Sequence, residues 1–168
     1  MPDWLRDLRH LSIVNMSFGG MKMSAAAVSK KLGGRGVLRR NVTSDLQLAA
    51  TVRAGLPSAA LDHMLQELAG FLESNADVYD LVGSARTLQR KRSTKTRLSP
   101  GESDRLARFA RLIVRAEEAI GDRIKALRWL TSPNRALEGE RPLKLLDNDA
   151  GTLAVEQVLG RIEHGVFS

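Results

Sequence analysis

Three features predict an all-α protein, with an N-terminal helix-turn-helix module followed by a small helical domain. Aromatic residues are only 4% of the 168, so the core must come from Leu, Val, Ile and Ala, which favours packed helices. Apolar residues recur at three- and four-residue spacing through most of the chain, the period of helices with one buried face. Residues 83–97 carry six cations (Arg86, Arg90, Lys91, Arg92, Lys95, Arg97) and no acid, and they open with Gly83 and Ser84. A basic segment entered through a glycine and a helix-capping serine has the form of the second half of a helix-turn-helix that faces nucleic acid.

Composition narrows the chemistry. With no cysteine, disulfides, thiolate catalysis and cysteine-ligated metals are excluded, and an intracellular, cytoplasmic protein is the simplest expectation. No stretch approaches the roughly 20 apolar residues of a membrane helix, and the N-terminus has no apolar signal core. The net charge of +7 is unevenly distributed: residues 1–42 hold eight cations and two acids, 43–83 one cation and six acids, 84–100 six cations, and 101–168 eleven of each. Two basic blocks around an acidic helical region point to a defined nucleic-acid face rather than nonspecific adhesion.

In chain order, residues 1–29 read as a basic extension and a candidate for disorder. Trp4, Leu5, Leu8 and Leu11 have helical spacing, but Ser17-Phe18-Gly19-Gly20 interrupts it. Met16, Met21 and Met23 leave a downstream start open. Residues 30–36 read as a basic glycine turn leading into a short extended piece at Val37-Leu38. They lack the Gly-Lys-Ser/Thr of a phosphate-cradling loop. Thr43 or Ser44 caps a helix carrying Asp45, Leu46, Ala49, Ala50 and Arg53, which Gly55 stops. Ser58 to Phe71 follows, with Leu61, Met64, Leu65, Leu68 and Leu72 on one face. A short helix then begins at Asn75 or Asp77 and carries Val78, Tyr79 and Leu81.

Val82-Gly83-Ser84 is the tight turn, and Ser84 caps the next helix, in which Leu88 points inward. Helix 75–81 would cross the DNA backbone while residues 84–92 enter the major groove. Arg86, Thr87 and Arg90 point outward, one turn apart. Arg86 or Arg90 is suited to a bidentate contact with guanine, and Lys91, Arg92 and Lys95 to phosphates. The domain boundary is expected at Ser99, giving modules 30–98 and 99–168.

Ser99-Pro100-Gly101-Glu102 is a capping box with proline at the first helical position. It opens a helix of about twenty residues, near 30 Å, that carries Leu106, Phe109, Ala110, Ile113, Ala116 and Ile120 and stops at Gly121. Arg105, Arg108, Arg111 and Arg115 line another face, read as solvated and paired with Glu102, Asp104, Glu117 and Glu118. Asp122 to Leu130 forms a further helix with Ile124, Leu127 and Trp129. Residues 135–148 are a packed connection containing Leu143, Leu145 and Leu146. Asp147 or Asp149 caps the last helix, whose buried stripe is Val155, Val158, Leu159 and Ile162, and Gly165 ends it. An apolar Val166-Phe167 beside the last residue, Ser168, suggests insertion into a partner's pocket.

No enzyme is visible. His10, His63 and His164 have no metal-ligand spacing, so no metal or other cofactor is expected. There is no nucleophile elbow, and the adjacent Glu117 and Glu118 face different directions on a helix. Asp147, Asn148 and Asp149 lack the Gly and Glu of a calcium loop.

Several phrases recur together: Gly83-Ser84-Ala85-Arg86-Thr87-Leu88-Gln89-Arg90, Leu98-Ser99-Pro100-Gly101-Glu102, Ala126-Leu127-Arg128-Trp129-Leu130, Pro133-Asn134-Arg135-Ala136-Leu137, Arg141-Pro142-Leu143, and Gly160-Arg161-Ile162-Glu163-His164-Gly165-Val166. In this order they resemble the Xre/MbcA/ParS antitoxins of RES-domain toxins, over roughly residues 32–168. The resemblance implies an Xre-like module that binds operator DNA as a homodimer and represses its own operon. It also implies a C-terminal domain that occludes the cleft of a toxin that hydrolyses NAD or transfers ADP-ribose. Trp129, Pro133, Asn134, Gly139 and Pro142 would be structural, and Arg161, Glu163, His164, Gly165, Val166, Phe167 and Ser168 would face the toxin. The alternatives are a stand-alone helix-turn-helix regulator and a toxin-binding protein with no DNA role.

Overall fold

A computed structural model of the chain describes residues 24–165. Readings placed on residues 1–23 and 166–168 lie outside them. The described residues form nine α-helices and no strand: α1 (Ala25–Lys31), α2 (Gly34–Leu38), α3 (Asp45–Arg53), α4 (Ser58–Leu68), α5 (Ala76–Val82), α6 (Ala85–Ser93), α7 (Pro100–Ile120), α8 (Arg123–Thr131) and α9 (Asp149–Glu163). Two 3-10 turns, Arg135–Leu137 and Pro142–Asp147, join α8 to α9.

The spine is α7, and its start is the strongest local signal in the sequence. The Ser99 hydroxyl accepts from the Glu102 N–H at 3.2 Å, and the Glu102 carboxylate accepts from the Ser99 N–H at 2.6 Å. The helix then runs 21 residues to Gly121, which closes it at φ 75°. Leu106, Phe109, Ala110, Ile113, Ala116 and Ile120 are all buried. Through them α7 packs against α1, α3 and α5 as well as α8 and α9, so one continuous core runs from Ala25 to Leu159.

Before the spine, α4, α5 and α6 form a compact trio in which α6 packs on both other helices. Leu61, Met64, Val78, Val82 and Leu88 are fully buried, which fixes α6 by its single inward leucine. The α5–α6 turn is tight: a Cβ on Gly83 would lie 3.3 Å from the Glu102 side chain. The end of α3 is tied to the approach to α7. Gly55 sits at φ 84°, and a Cβ there would lie 2.5 Å from the Leu98 carbonyl oxygen. Beside it the Leu98 N–H donates to Leu56 O at 2.8 Å, and the Leu56 N–H donates to the Ser103 hydroxyl at 2.8 Å.

The structure corrects several local expectations. The glycine-rich 30–36 segment is not a turn into an extended piece: α1 continues through Lys31, and residues 34–38 are helical. The left-handed conformations of Gly33 and Gly34 make a sharp corner between two helices rather than a loop. The expected end of the extension at residue 29 falls inside α1, whose Ala25, Val28 and Ser29 are buried. Ser84 occupies the N-cap of α6, but its side chain makes no capping hydrogen bond. The last helix is capped by Asn148, whose side chain accepts from the Gly151 N–H at 2.9 Å, not by Asp147 or Asp149. On α3 the regularly spaced Leu46, Ala50 and Arg53 face outward, while Leu48, Thr51 and Val52 are buried.

Lys31 falls in the segment expected to be a basic glycine turn. Instead it is 9% exposed, with its ammonium 2.6 Å from Glu117 Oε1 and 3.3 Å from Glu67 Oε1. Arg123 approaches the same Glu67 oxygen at 3.4 Å. One buried cation thus ties α1 to both α4 and α7.

Candidate functional site

In and just after α6, residues 83–97 hold six cations, and the fold separates them into two sets. Arg86 and Arg90 are exposed, Thr87 is half-buried between them, and Ser84 is exposed at the helix start. Lys95 follows the helix, exposed and in the left-handed region at φ 53°. Neither arginine nor Lys95 has an ionic partner among the described residues.

The other three are held internally. The Lys91 ammonium lies 2.6 Å from Glu102 Oε2. Arg92 donates to Asp62 at 2.5 Å and also to the Tyr79 hydroxyl. Arg97 donates to the Gly55 carbonyl at 2.5 Å. The phosphate-contacting role expected for Lys91 and Arg92 therefore meets a competing structural one. Their carboxylate partners come from α7 and α4, and only Asp62 belongs to the acidic 43–83 segment.

Glu102 is the pivot of this arrangement. Burial pushes its carboxyl up, but the Lys91 ammonium and the Ser99 N–H outweigh that and hold it below the usual carboxylate range. The same side chain caps α7 and anchors α6. Arg105, one turn on, donates to the Val82 carbonyl at 2.7 Å and fixes the end of α5. What remains outward on α6 includes the two unpaired arginines, Arg86 and Arg90, with Thr87 half-buried between them.

The second candidate surface is the end of α9. Arg161, Glu163, His164 and Gly165 are exposed there, while Ile162 turns inward and Gly165 adopts φ 66°. Glu163 is not fully available to a partner, because Arg115 of α7 contacts it at 2.5 Å. That hydrogen bond holds the Glu163 carboxyl below its ordinary value against the opposing effect of burial. Beside it, burial raises the Glu118 carboxyl. The pair fastens the last turn of α9 to the spine and presents Arg161 and His164 around it. Residues 166–168, assigned to the same surface, lie outside the described residues.

Of the residues that the resemblance would make structural, Pro133 is exposed. Trp129 and Pro142 are buried. The Asn134 side chain accepts from the Ala136 N–H at 2.9 Å, and Gly139, at φ 85°, donates to the Asn134 carbonyl. The arginine face of α7 is paired only in part as expected. Arg108 bridges Asp104 at 2.8 Å and Asp149 at 3.0 Å, Arg115 takes Glu163, and Glu102 and Glu117 go to lysines elsewhere.

Sequence reasoning missed Leu153, which is 54% exposed on the outer side of α9. Its only sequence signal was a leucine off the buried stripe. Among the described residues no group of three or more His, Asp or Glu side chains could hold a metal ion, and no helix is long and apolar enough to cross a membrane.

Two family models match the chain. One, described as the antitoxin Xre-like helix-turn-helix domain, covers residues 47–111. The other, described as the antitoxin Xre/MbcA/ParS C-terminal toxin-binding domain, covers residues 115–165. The division between them falls within α7. Curated relatives include the antitoxin Xre of Photorhabdus laumondii, 34% identical over 128 residues, which are 75% of this chain and 84% of that protein. The antitoxin Xre of Yersinia enterocolitica is 41% identical over 85 residues, 50% of this chain and 57% of the relative. That of Pseudomonas putida is 36% identical over 86 residues, 51% and 54% respectively. Against these last two, the chain spans little more than half of the relative's length.

Proposed function

The chain belongs to the Xre antitoxin family, and on that premise we propose that it neutralises an NAD-consuming RES-domain toxin and represses its own operon. The observation that carries the proposal is the pairing, on one continuous core, of a helix-turn-helix domain with a domain of the toxin-binding type. We assign DNA binding to residues 30–98 and toxin binding to residues 99–168. The protein itself performs no chemistry on NAD; its task is steric.

On the DNA side, Arg86 and Arg90 read base edges, with Thr87 between them and Ser84 at the helix start. Lys95 sits on a phosphate. Lys91 and Arg92 reach DNA only by sharing their charge with Glu102 and Asp62, so they support α6 more than they grip the duplex. A homodimer would present two such helices to two half-sites about one helical turn, roughly 34 Å, apart. On the toxin side, Arg161, His164 and Gly165 with the last three residues, Val166 to Ser168, form the element that enters the cleft. Glu163 positions it through Arg115.

The test is co-expression with the product of the adjacent gene, followed by purification and an NAD-consumption assay. A stable complex with NAD consumption suppressed is expected. Removing Val166–Ser168 should restore consumption while leaving operator binding unchanged. Full neutralisation after that deletion would remove the tail from the mechanism, and failure of the two products to associate would favour a stand-alone regulator.

A further inference from the structure

Among the described residues, three other than glycine adopt a left-handed backbone: Arg39 at φ 58°, Lys95 at φ 53° and Glu138 at φ 57°. The first two are exposed cations at helix ends, Arg39 as the C-cap of α2 and Lys95 just after the C-cap of α6. Glycine or asparagine usually fills such a position, because a Cβ strains the backbone there. Strained positions concentrate where a side chain contacts a ligand. Neither cation has an ionic partner among the described residues.

The fold brings both turns to the C-terminal end of α3. Arg40 donates to the Thr51 hydroxyl at 3.5 Å, and Arg97 donates to the Gly55 carbonyl at 2.5 Å. Thr51 and Gly55 are about one helical turn apart, so segments 39–40 and 95–97 meet there. From Arg97 a polar strip runs back to α6. The Thr96 and Thr94 hydroxyls lie 3.1 Å apart, and Thr94 continues the four-residue spacing of Arg86 and Arg90 along one helix face. Neither residues 24–44 nor residues 84–100 contain an acid. Arg53 is on the other side of α3, about 160° around the helix from Thr51.

We infer that Arg39 and Arg40, with Arg97 and the Thr94 and Thr96 hydroxyls, form a phosphate-binding strip that grips the DNA backbone beside the bases read by Arg86 and Arg90. This contact rests on the DNA-binding reading above and extends it to residues that precede both segments matched by the family models. Its chemistry selects the partner. Exposed guanidinium and hydroxyl groups with no carboxylate among them suit phosphate oxygens, and they offer nothing to an apolar surface. Arg40 and Arg97 each give an N–H to the protein, which holds the strip in place, and a guanidinium keeps further donors for phosphate.

The test is a fluorescence-anisotropy titration of the full chain, at several salt concentrations, with a DNA duplex taken from immediately upstream of its own reading frame. Arg39→Asn removes the charge but suits the left-handed turn. It should lower the log–log salt slope by about 0.9, the effect of one lost phosphate contact. Base preference should stay unchanged and the melting temperature should not fall; if it falls, Arg39→Gly is read instead. Adding Arg40→Gln should bring the loss to about 1.8. Arg39→Lys should keep the wild-type slope, and a slope reduced as in Arg39→Asn means that the residue acts through the fold, which overturns the contact. An unchanged slope in Arg39→Asn also overturns it, and the DNA reading then still stands if replacing Arg86 and Arg90 with alanine relaxes base preference. An equal fall in Arg53→Ala shows a diffuse attraction and overturns the strip. A wild-type chain that does not bind the duplex overturns both the strip and the DNA reading.

Discussion

At the scale of single residues, Glu102 links the two parts of the molecule most economically. Its carboxylate receives the Ser99 N–H that caps α7 and the Lys91 ammonium of α6, both at 2.6 Å. Because its folded value lies below its unfolded one, it contributes stability that is fully present above the unfolded value, near about pH 4.3. That stability is lost as pH falls through the lower folded value. Glu102→Gln, which keeps the shape but not the charge, should destabilise by about 1–2 kcal/mol at neutral pH. It should also flatten the acid limb of a stability-versus-pH curve, measured by urea unfolding at several pH values. An unchanged acid limb would mean that Lys91 and Glu102 are merely neighbours. Arg86 and Arg90 belong to the same scale but to a different observable. Replacing both with alanine should relax base preference in an operator titration, whereas Lys95→Ala should mainly lower the log–log salt slope by about 0.9.

At the scale of elements, the start of α9 shows how closely the toxin-binding region is fitted. A Cβ on Gly151 would lie 2.0 Å from the Leu145 carbonyl oxygen, so the first turn of α9 rests directly on the backbone of the second 3-10 turn. Gly151 has an ordinary helical backbone; what it supplies is absence of volume. Gly151→Ala must push two backbone segments apart and should destabilise by about 1–3 kcal/mol, despite alanine's better helix propensity. Differential scanning calorimetry gives the sign directly, and stabilisation would show that the close approach relaxes at no cost. At the other end of α9 the Arg115–Glu163 pair sets the position of the exposed last turn. Glu163→Gln should weaken toxin binding more than it lowers the melting temperature, because the contact orients a surface rather than filling a core.

At the scale of the whole molecule, the unexpected participant is α1. It precedes both segments matched by the family models, yet Lys31 reaches Glu67 in the first and Glu117 in the second. Glu67 directs both of its cationic contacts to one oxygen, and its other oxygen is buried without a hydrogen bond among the described residues. Removing Lys31 alone leaves Glu117 without its cation and Glu67 with only the longer Arg123 contact, in a poorly solvated site. Lys31→Met should therefore destabilise by about 3–5 kcal/mol, while combining it with Glu67→Gln and Glu117→Gln should recover much of that loss. Urea midpoints at constant m-value report both. Equal effects of the single and triple variants would show that packing, not charge balance, holds α1 in place.

The sequence alone determined what depends on short-range physics. The Ser99–Glu102 capping box, the buried stripes of α4 and α7, the stops at Gly55 and Gly121 and the inward Leu88 are decided within a few residues, and each was legible as spacing. So was the family, because its motifs are short and ordered along the chain. Charge could be counted from sequence but not assigned. The partners of Lys91, Arg92 and Arg97 lie 11, 30 and 42 residues away, and Lys31 finds its carboxylates 36 and 86 residues on. Composition shows that such groups exist; only the packing of α1, α4, α6 and α7 decides which of them meet. The same limit hid the outward face of α3, where the apolar spacing is helical but the side facing the core is chosen by Leu48, Thr51 and Val52. Local periodicity says that a helix has a face, and the tertiary structure says which side of it is buried.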